Sequence, residues 1–364
     1  MRKLLFVGGA RPNFMKLAPI MREVRERHSH AFHAVFVHTG QHYDDALSGR
    51  FLDHLGLPRP DYNLGVGSGS HAEQTAAVMV GFEQVCRQEQ PDMVVVVGDV
   101  NSTLACTLVA AKSQIPVAHV EAGLRSFDRR MPEEVNRVAT DALADLCLVT
   151  EQSGLDNLLA EGKPRDRVHL VGNLMIDTLV RQLRDLPETP PPCQKTYAVV
   201  TLHRPSNVDN SGRLAAIVAA LDELAQTMPV YFPVHPRTRA RLAGFGLEDG
   251  LARNVRLLPP LDYATFLALW KDAALVLTDS GGIQEETTFL GVPCLTLREN
   301  TERPITVEMG SNRLVPGGTR DILNAAHQAL AAGRDAWGRP PLWDGRAAER
   351  IVGHFYGAFL TGTK

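Results

Sequence analysis

No apolar run in the 364-residue sequence approaches the ~18 residues of a membrane span; the densest strand core is Met93 to Val97. The start, Met-Arg-Lys followed by a short apolar run and Gly8-Gly9-Ala10-Arg11, has neither the longer apolar region nor the small-residue cleavage site of a secretory signal, so a cytoplasmic protein is expected. Basic residues are not in excess: Lys+Arg total 38 against 41 Asp+Glu, a net charge of −3. That balance argues against a nucleic-acid binder, although a few local cations would suffice for a small anionic ligand. Cysteine is scarce and odd in number, and Cys86, Cys106, Cys147, Cys193 and Cys294 form no C-x-x-C pair. Reduced core or surface thiols are expected, not disulfides or metal ligands. The 13 histidines form no H-E-x-x-H pattern, so no metal site is expected. No G-x-G-x-x-G follows a strand-like run; the nearest pattern, Gly65-Val66-Gly67-Ser68-Gly69, follows Asp61-Tyr62-Asn63 and reads as a loop. A nicotinamide site is therefore not expected, and the absence of G-x-x-x-x-G-K-[ST] excludes ATP chemistry of the P-loop kind.

What is present is a length suited to two domains, with 44% apolar and 22% charged residues. β-branched runs at Leu4–Val7, Ala34–His38, Val94–Val97, Val117–Val120, Leu146–Val149 and Val168–Val171 read as strands. Between them lie helical patterns, as in Phe14, Leu17, Ala18, Met21 and Val24, and in the stretches Ala72–Glu89, Thr103–Lys112 and Glu133–Ala144. This alternation predicts parallel βαβ units. The proline-dense Leu186–Pro192 reads as an extended connector. Alternation then resumes with strands at Ala198–Leu202, Val230–Val234, Val255–Leu258, Leu275–Thr278 and Pro293–Leu297. The expected architecture is α/β, with two doubly wound domains facing one another across a cleft. The N-terminal domain is expected over 1–177 and the C-terminal domain over 178–345, with a C-terminal helix in 346–364 packing back on the first.

Ligands of open parallel sheets bind outside the carboxyl ends of the strands. The run-outs are Gly8-Gly9-Ala10-Arg11, His38-Thr39-Gly40-Gln41-His42, Gly98-Asp99, Glu121-Ala122-Gly123, His203-Arg204, His235-Pro236-Arg237 and Asp279-Ser280-Gly281-Gly282. Helix caps explain Ser280, Ser102 or Asn13. They do not require His, Glu and Arg at the same edge. In Thr278–Glu286, Ser280, Gly281 and Gly282 form a strand-to-helix turn suited to phosphate, and Glu286 lies one turn on, where it could hold ribose hydroxyls. Glu285 needs no more than complementarity to the helix N-terminus. Arg11, Lys16, His203-Arg204, Arg237 and Arg303 are available cations, Arg11 and Arg303 being the best placed. Asp99, Glu121 and Glu133 are candidates for proton transfer. The structural alternatives are the helix dipole for Glu133 and Glu134, and a buried salt bridge, for instance to Arg125, for Glu121.

These segments resemble the non-hydrolysing UDP-N-acetylglucosamine 2-epimerases. The resemblance is carried by Gly9-Ala10-Arg11-Pro12, His38–His42, Gly98-Asp99, His119-Val120-Glu121-Ala122-Gly123-Leu124-Arg125, Pro132-Glu133-Glu134-Val135-Asn136-Arg137, His203-Arg204, Thr278–Glu286 and Thr301-Glu302-Arg303-Pro304. It runs in order from the first strand to about Gly318. It implies a GT-B-like fold of two Rossmann-type domains, a homodimer, a UDP-sugar substrate and no cofactor. The implied reaction eliminates UDP to give 2-acetamidoglucal and adds it back with C2 inverted. The resemblance assigns acid/base work to Asp99, Glu121 and Glu133, and diphosphate contact with a catalytic part to His203. Arg11, Lys16, Ser280, Gly281, Gly282 and Arg303 become diphosphate or sugar contacts, Glu286 the ribose contact, and the Leu261 backbone and Phe266 the uracil contacts. Pro205-Ser206 and Ile305 depart from the family pattern. His235–Arg239 and Thr39–Tyr43 are closer to a branch that includes epimerases of UDP-2,3-diacetamido-glucuronate, whereas Gln284–Glu286 and Glu302–Pro304 keep the N-acetylglucosamine form. A hydrolysing epimerase, a GT-B glycosyltransferase and a non-catalytic sugar-nucleotide sensor are the rival readings.

Overall fold

A computed structural model describes residues 1–40, 52, 53, 55–186, 196–248, 251 and 254–360. Gln41, His42, Cys193 and the connector from Pro187 to Pro192 lie outside the described residues. Two compact units emerge, one of Met1–Val180 with Pro341–Lys364, the other of Arg181–Pro340. The division falls three residues after the expected 177 and five before the expected 346.

The first unit holds β1 (Arg2–Gly8), β2 (Phe32–His38), β3 (Tyr62–Asn63), β4 (Met93–Val97), β5 (Val117–Ala122), β6 (Leu146–Val149) and β7 (Val168–Leu170). Their spatial order is β3-β2-β1-β4-β5-β6-β7, and every pairing is parallel. The second unit holds β8 (Ala198–Thr201), β9 (Val230–Pro233), β10 (Val255–Leu258), β11 (Leu275–Thr278), β12 (Cys294–Thr296) and β13 (Asn312–Leu314), ordered β10-β9-β8-β11-β12-β13 and again parallel. Both orders turn back on themselves, as a doubly wound sheet must when helices cover both faces. The edge strands β3 and β13 were not expected. Each is only two or three residues long, reads Tyr-Asn or Asn-Arg-Leu, and offers no apolar run to detect.

The central strands are buried on both faces, so they read as unbroken β-branched runs rather than alternating ones. In β4, all of Met-Val-Val-Val-Val is buried. Leu4, Phe6, Val95 and Val97 pack with Leu17, Met21 and Val24 of the helix Arg11–Arg27. Leu5, Val7, Val94 and Val96 face Val78, Phe82, Cys106 and Val109 on the other side. In the second unit Val200, Phe232, Leu277 and Leu295 share a core with Leu214, Ile217, Leu221 and Ile322. The helix Ala347–Leu360 joins the first core through Ile351, Val352 and Phe355. Asp177 accepts the Ala347 and Ala348 backbone N–H groups at 3.0 and 2.8 Å, capping that helix from a distant part of the chain. Burial still pushes the Asp177 carboxyl up to about 6. Cys86, Cys106, Cys147 and Cys294 are free and buried. No described helix is long and apolar enough to cross a membrane.

Candidate active site

In the N-terminal unit two adjacent parallel strands deliver two carboxylates. β4 runs out into Gly98-Asp99 and β5 ends around Glu121, with Val97 paired to Val120. Glu121 has φ +69°, a left-handed conformation, and the β5–β6 register shifts between Val120 and Ala122 around it. A non-glycine residue pays roughly 1–2 kcal/mol for that conformation, so its surroundings must impose it. The Glu121 carboxylate forms an ion pair with the Lys16 ammonium, and both side chains are nearly sealed from solvent at 6% and 11% exposure. Gly98 (φ +70°) covers the pair: a Cβ there would lie 3.4 Å from Glu121 Oε2 and Asn13 Nδ2 and 3.8 Å from Lys16 Nζ. Asn13 Nδ2 donates to the Val97 carbonyl at 2.9 Å, tying the first helix to the same strand end.

Asp99 Oδ2 accepts from Arg137 Nη1 at 2.5 Å, and its carbonyl accepts from Asn136 Nδ2 at 2.9 Å. Glu133 is exposed at the start of the helix Pro132–Leu143 and lines, with Asp99, His71, Gln74, Asn101 and Asn136, a cavity of about 180 Å³. The neighbouring Glu134 does different work. It is buried, accepts from the Ser126 and Phe127 backbone N–H groups at 2.9 Å, and pairs with Arg137 at 2.7 Å. One expectation changes: Arg125 is not the partner of Glu121; it binds Asp141 and Glu161, each at 2.7 Å. Lys16, expected at the diphosphate or sugar, pairs with Glu121.

In the C-terminal unit Asp279 is fully buried just beyond β11. It accepts from the His203 backbone N–H at 3.1 Å, the Arg204 N–H at 2.9 Å and Asn207 Nδ2 at 3.1 Å, and its Oδ1 lies 2.9 Å from His203 Nδ1. Burial pushes the Asp279 carboxyl up, but His203 and the N–H donors outweigh it and hold it below its ordinary value. The half-exposed His203 ring is thereby oriented by a buried carboxylate. Ser280 precedes the helix Gly281–Leu290, its N–H donating to Thr278 Oγ1 at 3.0 Å, and its side chain makes no capping bond. Gly281 and Gly282 form the first helical turn, and a Cβ built on Gly281 meets nothing within 4 Å. The partial positive charge of a helix start is thus presented without side chains in the way.

Glu285 is more than complementary to a helix start: its Oε1 accepts from Arg303 Nε at 2.8 Å. Gln284 Oε1 accepts from Thr301 Oγ1 at 2.6 Å and Asn312 Nδ2 at 3.1 Å, fastening the Thr301–Pro304 segment to the same helix. Glu286 is buried, and its Oε1 accepts from the Tyr263 hydroxyl at 2.5 Å. Its Oε2 has no hydrogen-bond partner among the described residues. Burial pushes the Glu286 carboxyl up to about 8, with Tyr263 opposing and Glu285 adding to the rise. Leu261 and Phe266 are half-buried, flanking and within the start of the helix Tyr263–Trp270. Arg237 is engaged by Asp209 at the surface. Arg11 opens the first helix; its side chain lies outside the described residues. Tyr263, His71, Gln74, Asn136 and Asp279 were not singled out as site residues, because nothing in their local sequence announces the tertiary neighbours they acquire. Among the described residues no cluster of three or more His, Cys, Asp or Glu could hold a metal ion.

Two open parallel sheets, each with its polar groups gathered at the carboxyl ends of strands, place the chain among two-domain α/β proteins with a GT-B-like fold. The family model described as UDP-N-acetylglucosamine 2-epimerase matches residues 23–355. The UDP-N-acetylglucosamine 2-epimerase of Methanocaldococcus jannaschii is 42% identical over 96% of this chain and 98% of its own. A crystal structure of the enzyme from that organism, in complex with UDP-GlcNAc and UDP, is similar with a TM-score of 0.85 and 41% identity, covering 98% of this chain and 99% of that one. The UDP-2,3-diacetamido-2,3-dideoxy-D-glucuronate 2-epimerase of Pseudomonas aeruginosa is 40% identical over 88% of this chain and 90% of its own. The chain belongs to the UDP-N-acetylglucosamine 2-epimerase family.

Removing one member of a buried ion pair typically costs about 3–5 kcal/mol. Lys16→Met should therefore lower the unfolding temperature. Thermal unfolding of the two proteins side by side checks this, and an unchanged midpoint contradicts it.

Proposed function

We propose that this protein interconverts UDP-N-acetylglucosamine and UDP-N-acetylmannosamine by eliminating UDP and adding it back, without hydrolysis. The observation that carries the reading is the pair of carboxylates Asp99 and Glu121 at adjacent strand ends, with Glu121 buried against Lys16. The C2 proton of the substrate is not acidified by a carbonyl, so its removal must be coupled to departure of a good leaving group. In the forward step the C2–H and C1–O bonds break and the C1–C2 double bond forms. The proton passes to a carboxylate, and UDP leaves with the bonding pair. In the return step a proton reaches the opposite face of C2 and the C1–O bond re-forms.

Asp99, Glu121 and Glu133 move the proton, and Lys16 sets the charge of Glu121. Ser280, Gly281 and Gly282 receive the diphosphate at the helix start, with Arg11, Arg303 and His203 as further contacts. Asp279 orients the His203 ring toward that task. Glu286 holds the ribose: its unsatisfied Oε2 is suited to a hydroxyl. Leu261 and Phe266 flank the uracil. A second substrate, UDP-2,3-diacetamido-glucuronate, is favoured by the Pseudomonas relative and by the forms of His235–Arg239 and Thr39–Tyr43.

Incubation with UDP-N-acetylglucosamine in deuterated water should place deuterium at C2 and yield the manno epimer, with no net free UDP by phosphorus NMR. UDP accumulating would indicate hydrolysis, and exchange only with the diacetamido-glucuronate would reassign the substrate. No exchange with either would remove the proposal.

A homodimer, implied by the resemblance, a cytoplasmic location and a part in polysaccharide biosynthesis are proposed with it. The helix His71–Glu89 supports the first: Ala72, Ala76 and Val80 recur every fourth residue, all exposed, beside half-exposed Leu104 and Leu108 of the helix Asn101–Lys112. Val80→Glu should convert a dimer to a monomer in sedimentation equilibrium. A monomer before substitution would contradict the assembly.

A further inference from the structure

His119, fully buried in β5, lies between two groups that can only accept hydrogen bonds. Its Nδ1 is 2.6 Å from Asp141 Oδ1 and its Nε2 is 2.8 Å from the Gly98 carbonyl. Nδ1 and Nε2 thus tie the ring to a carboxylate on one side and a backbone carbonyl on the other. Asp141 Oδ2 also accepts from Arg125 Nη1 at 2.7 Å, and Arg125 grips Glu161 with Nε at 2.8 Å and Nη2 at 2.7 Å. Lys163 donates to the Asp141 backbone carbonyl at 2.6 Å, and the nearby Cys147 thiol is pushed up to about 12 by burial and by Asp141. Burial pushes the Asp141 carboxyl up, but its neighbours His119 and Arg125 hold it below its ordinary value.

Its attachments bracket the proposed proton-transfer groups. Asp141 binds His119, two residues before Glu121, through Oδ1, and the Gly123 N–H, two residues after it, through Oδ2 at 3.0 Å. A single carboxylate therefore staples the chain on both sides of the left-handed residue. The other ring nitrogen of His119 holds the carbonyl of Gly98, which immediately precedes Asp99. The position of a Cβ built on Gly98 lies 3.4 Å from Glu121 Oε2, so the peptide that His119 holds runs beside the carboxylate.

We infer that the His119–Asp141 pair is a positioning device: a buried histidine–carboxylate clamp that fixes Glu121 and Asp99 relative to one another. The inference rests on the reading of Asp99 and Glu121 as proton-transfer groups. Neither His119 nor Asp141 need touch the substrate. A misplacement of about 1 Å in a reacting group costs on the order of 100-fold in rate. Loss of the clamp should therefore appear in kcat while nucleotide binding is kept.

The test compares the unsubstituted enzyme with His119→Gln, whose amide can donate to Asp141 or to Gly98 but not to both. The expected result is a kcat about 100-fold lower. KM for UDP-N-acetylglucosamine should stay within about threefold, and UDP should bind equally well by calorimetry. A kcat per UDP-binding molecule within about twofold of the unsubstituted enzyme, or a loss only in proportion to unfolded protein, would overturn the inference. Nitrogen-15 NMR of histidine-labelled, unsubstituted protein gives a second readout that survives a variant failing to fold. Ring hydrogens of His119 protected from exchange with water are expected, and a ring that exchanges freely overturns the clamp. If the unsubstituted enzyme shows no C2 exchange, the functional reading fails instead, and the ring-hydrogen exchange still decides the clamp.

Discussion

A carboxylate at the end of a central strand, shut away from water, must have a cation, and in the N-terminal unit Glu121 has Lys16. Much of the surrounding geometry is set by that pairing. The first helix must start where it does to bring Lys16 under the strand end, and Asn13 of the same helix is bonded to Val97. Residue 98 favours glycine because its backbone is left-handed, with φ +70°, directly over the pair. Glu121 must leave the β conformation for its carboxylate to turn back into the sheet edge. Replacing a buried ion pair by apolar residues of like size is often neutral or stabilising, so stability alone is a poor reason to keep one. A carboxylate that has to exchange a proton with substrate is a better reason.

In the proposed reaction the C-terminal unit has the complementary task, the reception of negative charge. It uses a helix start bearing Ser280, Gly281 and Gly282, and a histidine whose ring is set by Asp279. Four hydrogen-bond contacts from three residues keep Asp279 ionised despite complete burial. Glu286 is the contrast: with only Tyr263 to support it, burial carries its carboxyl up to about 8. Two carboxylates seven residues apart in sequence are thus held in different states by the number of donors aimed at each.

Much of this was legible in the sequence where local chemistry is strong. Val94–Val97 and Leu275–Thr278 announce buried parallel strands, and the polar residues and glycines just beyond them, Gly98-Asp99 and Asp279–Gly282, mark the functional edge. The edge strands Tyr62–Asn63 and Asn312–Leu314 did not announce themselves, since pairing with a neighbour and not hydrophobicity makes them strands. Pairings over long sequence separations were beyond local reasoning as well. Arg125 stands four residues from Glu121 and was the natural partner to name, yet the pleat and the turn at Glu121 send it to Asp141 and Glu161, while Lys16 arrives from the first helix. Glu285 looked like a helix-start charge and is bound to Arg303. No propensity makes glutamate left-handed; the Asp141 bonds to His119 and Gly123 brace the turn on both sides, and Lys16 holds the carboxylate it presents.

The central claim is that the chain breaks a glycosidic C–O bond and re-forms it while retaining both fragments. Its most direct test supplies the fragments separately: UDP and 2-acetamidoglucal incubated with the enzyme, with the products tracked by phosphorus and proton NMR. The account predicts that UDP is consumed and that both UDP-N-acetylglucosamine and UDP-N-acetylmannosamine appear. If an enzyme shown to bind UDP never joins the two, the account is wrong.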